Sequence, residues 1–289
     1  MHEFSYEAPS TIEQALGLLA AERDGGRALC GGTDLLIQMR MGVRQPSRLV
    51  DIKSIPELRR ISFDAKTGLK LGAAVPCIEI FENPLMGKHY PGLTEAAHLI
   101  GSTQIQSRAS VGGNLCNGSP AADSVPALMA LRAVAHVIGP KGARDVPVEN
   151  FVTAPGQTVL QPGELLVELR VPPPAPHSVD CYLRMIPRNE MDIAIVGVGS
   201  AVTMDGDRCV AARIALGAVG PTQILATKAA DSLVGKKLDA AAIENAAKLA
   251  IEASKPIDDM RGTAEYRRHV VGVLTRRTLQ GAAERARTK

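Results

Sequence analysis

Two short segments carry the residue types best suited to holding a phosphate ester: Cys30-Gly31-Gly32-Thr33-Asp34 and Ser110-Val111-Gly112-Gly113-Asn114. Glycine has no Cβ, so backbone N–H groups at a Gly-Gly pair can come close to a diphosphate, and a helix starting just beyond adds the favourable end of its dipole. Either pair alone is also what a tight turn with positive φ would use. Two such pairs with polar flanks point to one shared ligand, and a dinucleotide pyrophosphate fits. Neither segment is G-x-G-x-x-G, and neither offers the Lys-Ser/Thr of a P-loop, so a Rossmann or Walker nucleotide site is excluded.

Other reactive arrangements are missing. His2, His89, His98, His136, His177 and His269 are scattered, with no nucleophile or carboxylate at triad spacing. Cys30, Cys77, Cys116, Cys181 and Cys209 are odd in number, widely spaced and without a C-x-x-C pair, which argues against a disulfide framework and against a zinc or iron-sulfur cage. Cys30 and Cys116, inside or beside the glycine segments, read as small packed residues. No catalytic residue and no metal site is therefore expected. With no Trp and 3% aromatics there is little surface on which to stack bases, and a net charge of +3 is a weak electrostatic footprint, so nucleic acid is not an expected partner. Met1-His2-Glu3-Phe4 lacks a signal-peptide start and no run approaches the ~20 apolar residues of a membrane span, so a cytoplasmic protein is expected.

The elements that position these segments alternate between the two hydrophobic periods. Ser10-Thr11-Ile12-Glu13 is a capping box, and Ile12, Ala15, Leu16 and Leu19 follow at helical spacing, predicting a helix from Thr11 to Ala21. Arg27 to Cys30 is a short buried strand that stops at the glycines, after which Asp34 caps a helix through Leu35, Leu36 and Met39. Leu49 to Ile52, Ile61 to Phe63 and Leu69 to Ala73 read as strands, the last two as an antiparallel hairpin across Asp64 to Gly68. Gly101 to Gly118 reads as a long structured loop. Asp123 to Leu131 is a helix, Ala133 to Val137 and Ala143 to Val146 flank a Gly139-Pro140-Lys141-Gly142 turn, and Leu165 to Val171 is a strand. Pro172-Pro173-Pro174-Ala175-Pro176 can be neither helix nor central strand and reads as a linker, which divides the chain into residues 1–175 and 176–289. Beyond it, strands Ile193 to Thr203 and Cys209 to Val219 precede helices near Lys228 to Leu233, Asp239 to Ala253 and Glu265 to Arg287. The basic pairs Arg267-Arg268 and Arg276-Arg277 on the last helix read as a solvated face or a subunit contact.

Four blocks in order, Leu29 to Gln38 (LCGGTDLLIQ), Leu49 to Leu58 (LVDIKSIPEL), Ala109 to Asp123 (ASVGGNLCNGSPAAD) and Glu190 to Ile193 (EMDI), resemble the FAD-binding medium subunits of xanthine dehydrogenase and carbon monoxide dehydrogenase type molybdenum hydroxylases. The resemblance spans nearly the whole chain. It implies an α+β fold: an N-terminal FAD-binding domain of the vanillyl-alcohol-oxidase-like group, made of two α/β subdomains, and a C-terminal sheet-and-helix domain. It implies FAD as cofactor, with Ala28, Leu29, Cys30, Gly31, Gly32, Thr33, Asp34 and Leu35 wrapping the pyrophosphate. Ser110, Val111, Gly112, Gly113 and Asn114 would give a second phosphate and ribityl contact, and Asp123 a hydrogen bond to the cofactor. Leu166 and Arg184 fall at family positions that meet the isoalloxazine. Many relatives carry Lys where Arg184 stands, and Arg keeps the charge but not the point geometry. Ile100 stands where some relatives have Phe, with Tyr182 as an alternative aromatic face; both are equally readable as packed residues.

The resemblance further implies that a partner subunit carries iron-sulfur clusters and a large subunit binds molybdopterin and oxidises the substrate. This chain would relay electrons through FAD to NAD+, or to quinone or oxygen. Two other readings stay open on the residues alone: a self-sufficient FAD oxidoreductase, which would need its own acid/base pair, and a non-catalytic scaffold of the same fold.

Overall fold

The structure, a computed structural model, describes residues 3–21 and 25–287; the expectations at Met1 and His2 lie outside them. The first helix, Ile12–Ala21, begins where Thr11 Oγ1 accepts from the Gln14 N–H at 3.2 Å and Gln14 Oε1 accepts from the Ser10 N–H at 3.1 Å. The capping box is thus Thr11 with Gln14, one residue later than Ser10 with Glu13. Ser10 to Gln14 holds both frames, and Gln serves the same donor as Glu. Ala15 and Leu19 form its buried stripe.

This helix packs near a parallel three-stranded sheet in the order Ser5–Glu7, Arg48–Asp51, Gly26–Leu29. Arg48–Asp51 takes the central place because Leu49 and Val50 are both fully buried. The Leu49 to Ile52 run therefore belongs to a different sheet from the hairpin that follows it. Ser5–Glu7, an exposed three-residue edge, leaves no apolar signal in the sequence.

The hairpin of Ile61–Asp64 and Gly68–Gly72 forms as expected, with Asp64 Oδ1 accepting from the N–H groups of Lys66 and Thr67 at 2.9 Å. It is one edge of an antiparallel five-stranded sheet whose order continues through Leu165–Val171, Val134–Gly139 and Gly142–Pro147. Leu165–Val171 is central and largely buried on both faces, which is why it reads as a near-continuous apolar run. The Gly101 to Gly118 segment is less of a loop than expected, since it contains the helices Thr103–Gln106 and Val111–Cys116. Four-residue and six-residue helices are too short to show a 3.6 period above their Gly, Ser and Gln content.

Residues 172–175, in neither helix nor strand, carry the chain to a four-stranded antiparallel sheet: Ser178–Met185, Val196–Asp205, Arg208–Gly217 and Ile224–Leu225. Ser178–Met185 is a long strand that the sequence reading left out. One face of the sheet carries the helices Ala240–Ala253 and Ala264–Arg287; the other meets Pro91–His98 and Ser124–Ala130. Arg267 departs from the solvated face expected of the last helix. It is 3% exposed, donates to the carbonyls of Ile195 and Ala218 and pairs with Asp259 at 2.7 Å, whereas Arg268 and Arg277 are exposed. Those three acceptors let its charge be buried as a clamp on the sheet, with Nε left without a partner among the described residues.

Helix Ser124–Ala130 lies directly on the sheet backbone. A Cβ at Gly199 would stand 2.6 Å from Pro126 O, and one at Gly217 would stand 2.9 Å from Pro126 Cγ. Gly199→Val should therefore lower stability by roughly 1–3 kcal/mol in chemical denaturation, because rigid backbone must move. In contrast Gly17, inside the first helix with nothing within 4 Å of its added Cβ, should gain about 0.5–1 kcal/mol on replacement by Ala. Equal melting of the Gly199→Val variant and the parent would contradict this packing.

Candidate functional site: a glycine-walled cleft

The two glycine segments meet because each must pass close to backbone. A Cβ on Gly31 would stand 2.1 Å from Arg108 O, and one on Gly112 would stand 2.4 Å from Ala73 O. Gly32, with φ +75°, sits in the left-handed region that favours glycine. Gly112 and Gly113 do not: they lie inside the helix Val111–Cys116, whose start Ser110 caps by accepting from the Gly113 N–H at 2.9 Å. The second pair is thus a helix start rather than a positive-φ turn, and Gly112 is required for a close approach of protein to protein. Cys30 Sγ lies 3.1 Å from Ser110 Oγ, so the segments touch side chain to side chain as well.

Between them opens a cleft of about 550 Å³, within the usual range for cofactor sites. Ala28, Cys30, Gly31, Gly32, Thr33, Asp34 and Leu35 form one wall; Ser110, Gly112, Gly113 and Asn114 form another, with Ile100 and Leu166 also on the surface. Leu29 and Val111 are buried behind these walls, and Asp123, Tyr182 and Arg184 are not on them. Asp34 occupies the expected cap position, but its side chain makes no capping bond. Among the described residues, the backbone N–H groups of Gly32, Thr33, Asp34 and Leu35 find no protein acceptor. The cleft has a third wall that the sequence reading missed, including Gly156, Gln157, Thr158 and Gln161. Gln38 Nε2 donates to Asn117 Oδ1 at 2.9 Å, and Arg44 donates to Gly156 O at 3.1 Å, closing the ring of segments. Turn residues Pro155-Gly156 and Pro162-Gly163 were the available signal, but they look like any connection before a strand.

Asp123, Tyr182 and Arg184 come together one layer away. Tyr182 Oη donates to Asp123 Oδ1 at 2.8 Å, and Arg184 Nη1 to Asp123 Oδ2 at 2.6 Å, with the Arg184 side chain only 5% exposed. Burial pushes the Asp123 carboxyl up to about 6, against the pull of Arg184 and Tyr182. The next residue, Ser124, donates through its hydroxyl to Asn114 Oδ1 at 2.7 Å, which links this cluster to the cleft wall.

Unpaired N–H groups at Gly32 to Leu35 supply what a diphosphate requires. An added Cβ at Gly113 would meet only Ser110 Oγ, at 3.1 Å, so that wall is a cradle kept open by the missing side chain. The residues present fit a dinucleotide. Residues 2–174 match the family described as the FAD binding domain in molybdopterin dehydrogenase, and residues 181–282 match the CO dehydrogenase flavoprotein C-terminal domain. The chain belongs to the FAD-binding subunits of molybdenum hydroxylases.

This molybdenum-hydroxylase flavoprotein is 33% identical to the carbon monoxide dehydrogenase medium chain of Hydrogenophaga pseudoflava over 96% of both chains. It is 30% identical to the putative xanthine dehydrogenase FAD-binding subunit of Escherichia coli over 98% of this chain and 97% of the relative. The solved carbon monoxide dehydrogenase of Hydrogenophaga pseudoflava superposes with a TM-score of 0.94 at 33% identity over 98% of each chain, and quinoline 2-oxidoreductase of Pseudomonas putida with 0.90 at 32%. FAD is the cofactor of the family, and the chain is an oxidoreductase subunit with an FAD-binding domain followed by the flavoprotein C-terminal domain. No described helix is long and apolar enough to cross a membrane.

In this flavoprotein the Asp123–Arg184 pair joins the cleft side to the C-terminal sheet. Asp123→Ala should destabilise by about 3–5 kcal/mol, since it strands a buried guanidinium, while Asp123→Leu combined with Arg184→Met should recover most of that loss. Additive losses in the double variant would contradict the pairing.

Proposed function

We propose that this flavoprotein holds FAD in the glycine-walled cleft and is the electron exit of a larger molybdenum hydroxylase. The observation that carries the reading is the convergence of four unpaired N–H groups at Gly32 to Leu35 with the open cradle at Gly113 on one cleft. In this reading Ala28 to Leu35 wrap the pyrophosphate and Ser110 to Asn114 take a second phosphate and the ribityl chain. Leu166 and Ile100 give apolar surface toward the ring. Leu29 and Val111 hold the walls from behind. Asp123 and Arg184 act from the neighbouring layer, steadying Asn114 through Ser124 and lending positive charge to the ring end. Bound FAD accepts electrons singly and hands on a pair, the conversion that a chain of one-electron clusters needs.

An iron-sulfur subunit would deliver the electrons, a molybdopterin subunit would oxidise the substrate, and NAD+ would receive the pair, with quinone or oxygen as other acceptors. The five cysteines are all unpaired and dispersed, which supports an electron source on another polypeptide. The likeness to the medium chain of a carbon monoxide dehydrogenase supports the same arrangement. We assign residues 1–175 to the FAD domain, with two subdomains of the vanillyl-alcohol-oxidase-like group carrying the parallel and the five-stranded sheets, and residues 176–289 to the second domain. The complex would be cytoplasmic.

FAD should copurify near one per chain and be released on acid precipitation, as neither glycine segment holds a His and the thiol of Cys30 is raised by burial. Gly113→Val should fold, because its side chain enters the cleft rather than the protein, yet lose FAD, read as the flavin absorbance after gel filtration. A Gly113→Val chain that keeps stoichiometric FAD would sink the assignment.

A further inference from the structure

Of the block Leu49 to Leu58, only Ile52 reaches the cleft surface, yet Lys53 touches the wall at Cys30 from behind. Parallel pairing carries the strands Gly26–Leu29 and Arg48–Asp51 side by side as far as Leu29 opposite Asp51, where the Ile52 N–H donates to Leu29 O at 3.1 Å. One residue on, the ladder ends and the wall begins. Cys30 O lies past that last backbone bond, and Lys53 Nζ donates to it at 3.1 Å, so an ammonium serves the carbonyl that the strand no longer does.

The ammonium is itself braced. Asp51 Oδ2 accepts from Lys53 Nζ at 2.7 Å, Asp51 Oδ1 accepts from the Lys53 N–H at 3.1 Å, and the Tyr6 hydroxyl donates to Asp51 Oδ2 at 2.5 Å. Burial raises the Asp51 carboxyl, but the hydrogen bonds from Lys53 and Tyr6 outweigh it and hold the group below the usual carboxylate range. Of the wall residues Ala28 and Cys30 to Leu35, only Asp34 bears a charge, and it is negative. A diphosphate on that wall therefore meets backbone N–H groups and one opposing carboxylate. Lys53 supplies positive charge from behind: burial raises the Cys30 thiol, and Lys53 is among the groups that draw it back down.

We propose that Lys53 is a positioning residue for the cofactor diphosphate: braced by Asp51, its ammonium fixes the Cys30 carbonyl and with it the Cys30–Gly31 peptide that leads into the four unpaired N–H groups. A trans peptide directs its C=O and N–H oppositely, so a carbonyl pinned on the Lys53 side sets which way the Gly31 N–H points. An ammonium on a carbonyl also polarises the peptide, which makes the N–H of that peptide a stronger donor. Lys53 thus acts through the backbone without entering the cleft. The inference rests on the cofactor reading of that cleft.

The test is titration of the flavin-free full chain with FAD, followed by flavin fluorescence, with ADP as a competitor that carries the diphosphate without the flavin. Lys53→Met should raise the FAD Kd about tenfold, corresponding to about 1.4 kcal/mol, and weaken ADP by the same factor. Lys53→Arg, which keeps a cationic donor, should recover most of the affinity. Tyr6→Phe removes a bond to the same Asp51 without touching Cys30 and should stay within about twofold of the parent. A purely structural brace would instead weaken FAD alike in Lys53→Met and Tyr6→Phe. Parental FAD affinity in Lys53→Met, equal weakening in those two variants, or failure of Lys53→Arg to recover binding would each overturn the proposal. Should Lys53→Met not fold, Lys53→Gln decides: with a neutral donor it should bind FAD more weakly than Lys53→Arg, and equal binding overturns the proposal. A parent chain that binds no FAD fails the cofactor reading and this inference with it, whereas a parent that binds FAD beside an unchanged Lys53→Met fails this inference alone.

Discussion

The site rests on two places where backbone touches backbone with no room for a side chain: Gly31 against Arg108 O and Gly112 against Ala73 O. These contacts bring the end of a parallel strand, a helix start and the edge of the five-stranded sheet to one point. A methyl group at either glycine would need about an ångström or more of displacement in rigid backbone, and no rotamer change can supply that. The ligand cradle is therefore a by-product of packing. Gly32 and Gly113 line the cleft without such backbone contacts, and at Gly32 the left-handed φ of +75° is what calls for glycine.

A similar constraint ties the cleft to the C-terminal sheet. Gly199 and Gly217 admit helix Ser124–Ala130 onto the strands, and Gly92 admits Asp180, whose Oδ2 would be 2.7 Å from an added Cβ. Charged groups then fix the contact laterally: Asp123 with Arg184, Glu95 with Arg285, Glu149 with Arg213. Each pair joins the first 172 residues to the later sheet and helices.

Much of this was legible in the residues. Periodicity located Ile12–Ala21, the 61–72 hairpin, Leu165–Val171 and the long C-terminal helices, since each carries a long or strongly alternating apolar pattern. That the two glycine pairs come together was legible, and both line one cleft, though the reason for Gly112 was not: its close neighbour, Ala73, is distant in sequence. The third cleft wall at Gly156 to Gln161 was illegible for the same reason, as was the burial of Arg267, whose acceptors are carbonyls that no sequence pattern marks. Ser5–Glu7 and the two short helices within Gly101 to Gly118 were too brief for any period to emerge.

The most direct test of the central claim is amide hydrogen exchange of the full chain with and without FAD, read by mass spectrometry. The account predicts slowed exchange in peptides covering Ala28 to Leu35, where the unpaired N–H groups of Gly32 to Leu35 gain acceptors, and Ser110 to Asn114, which the ligand covers, with little change in the strands Val196–Asp205 and Arg208–Gly217. Protection confined to other regions, with those two segments exchanging as fast as before, would contradict a cofactor site built from the glycine cleft.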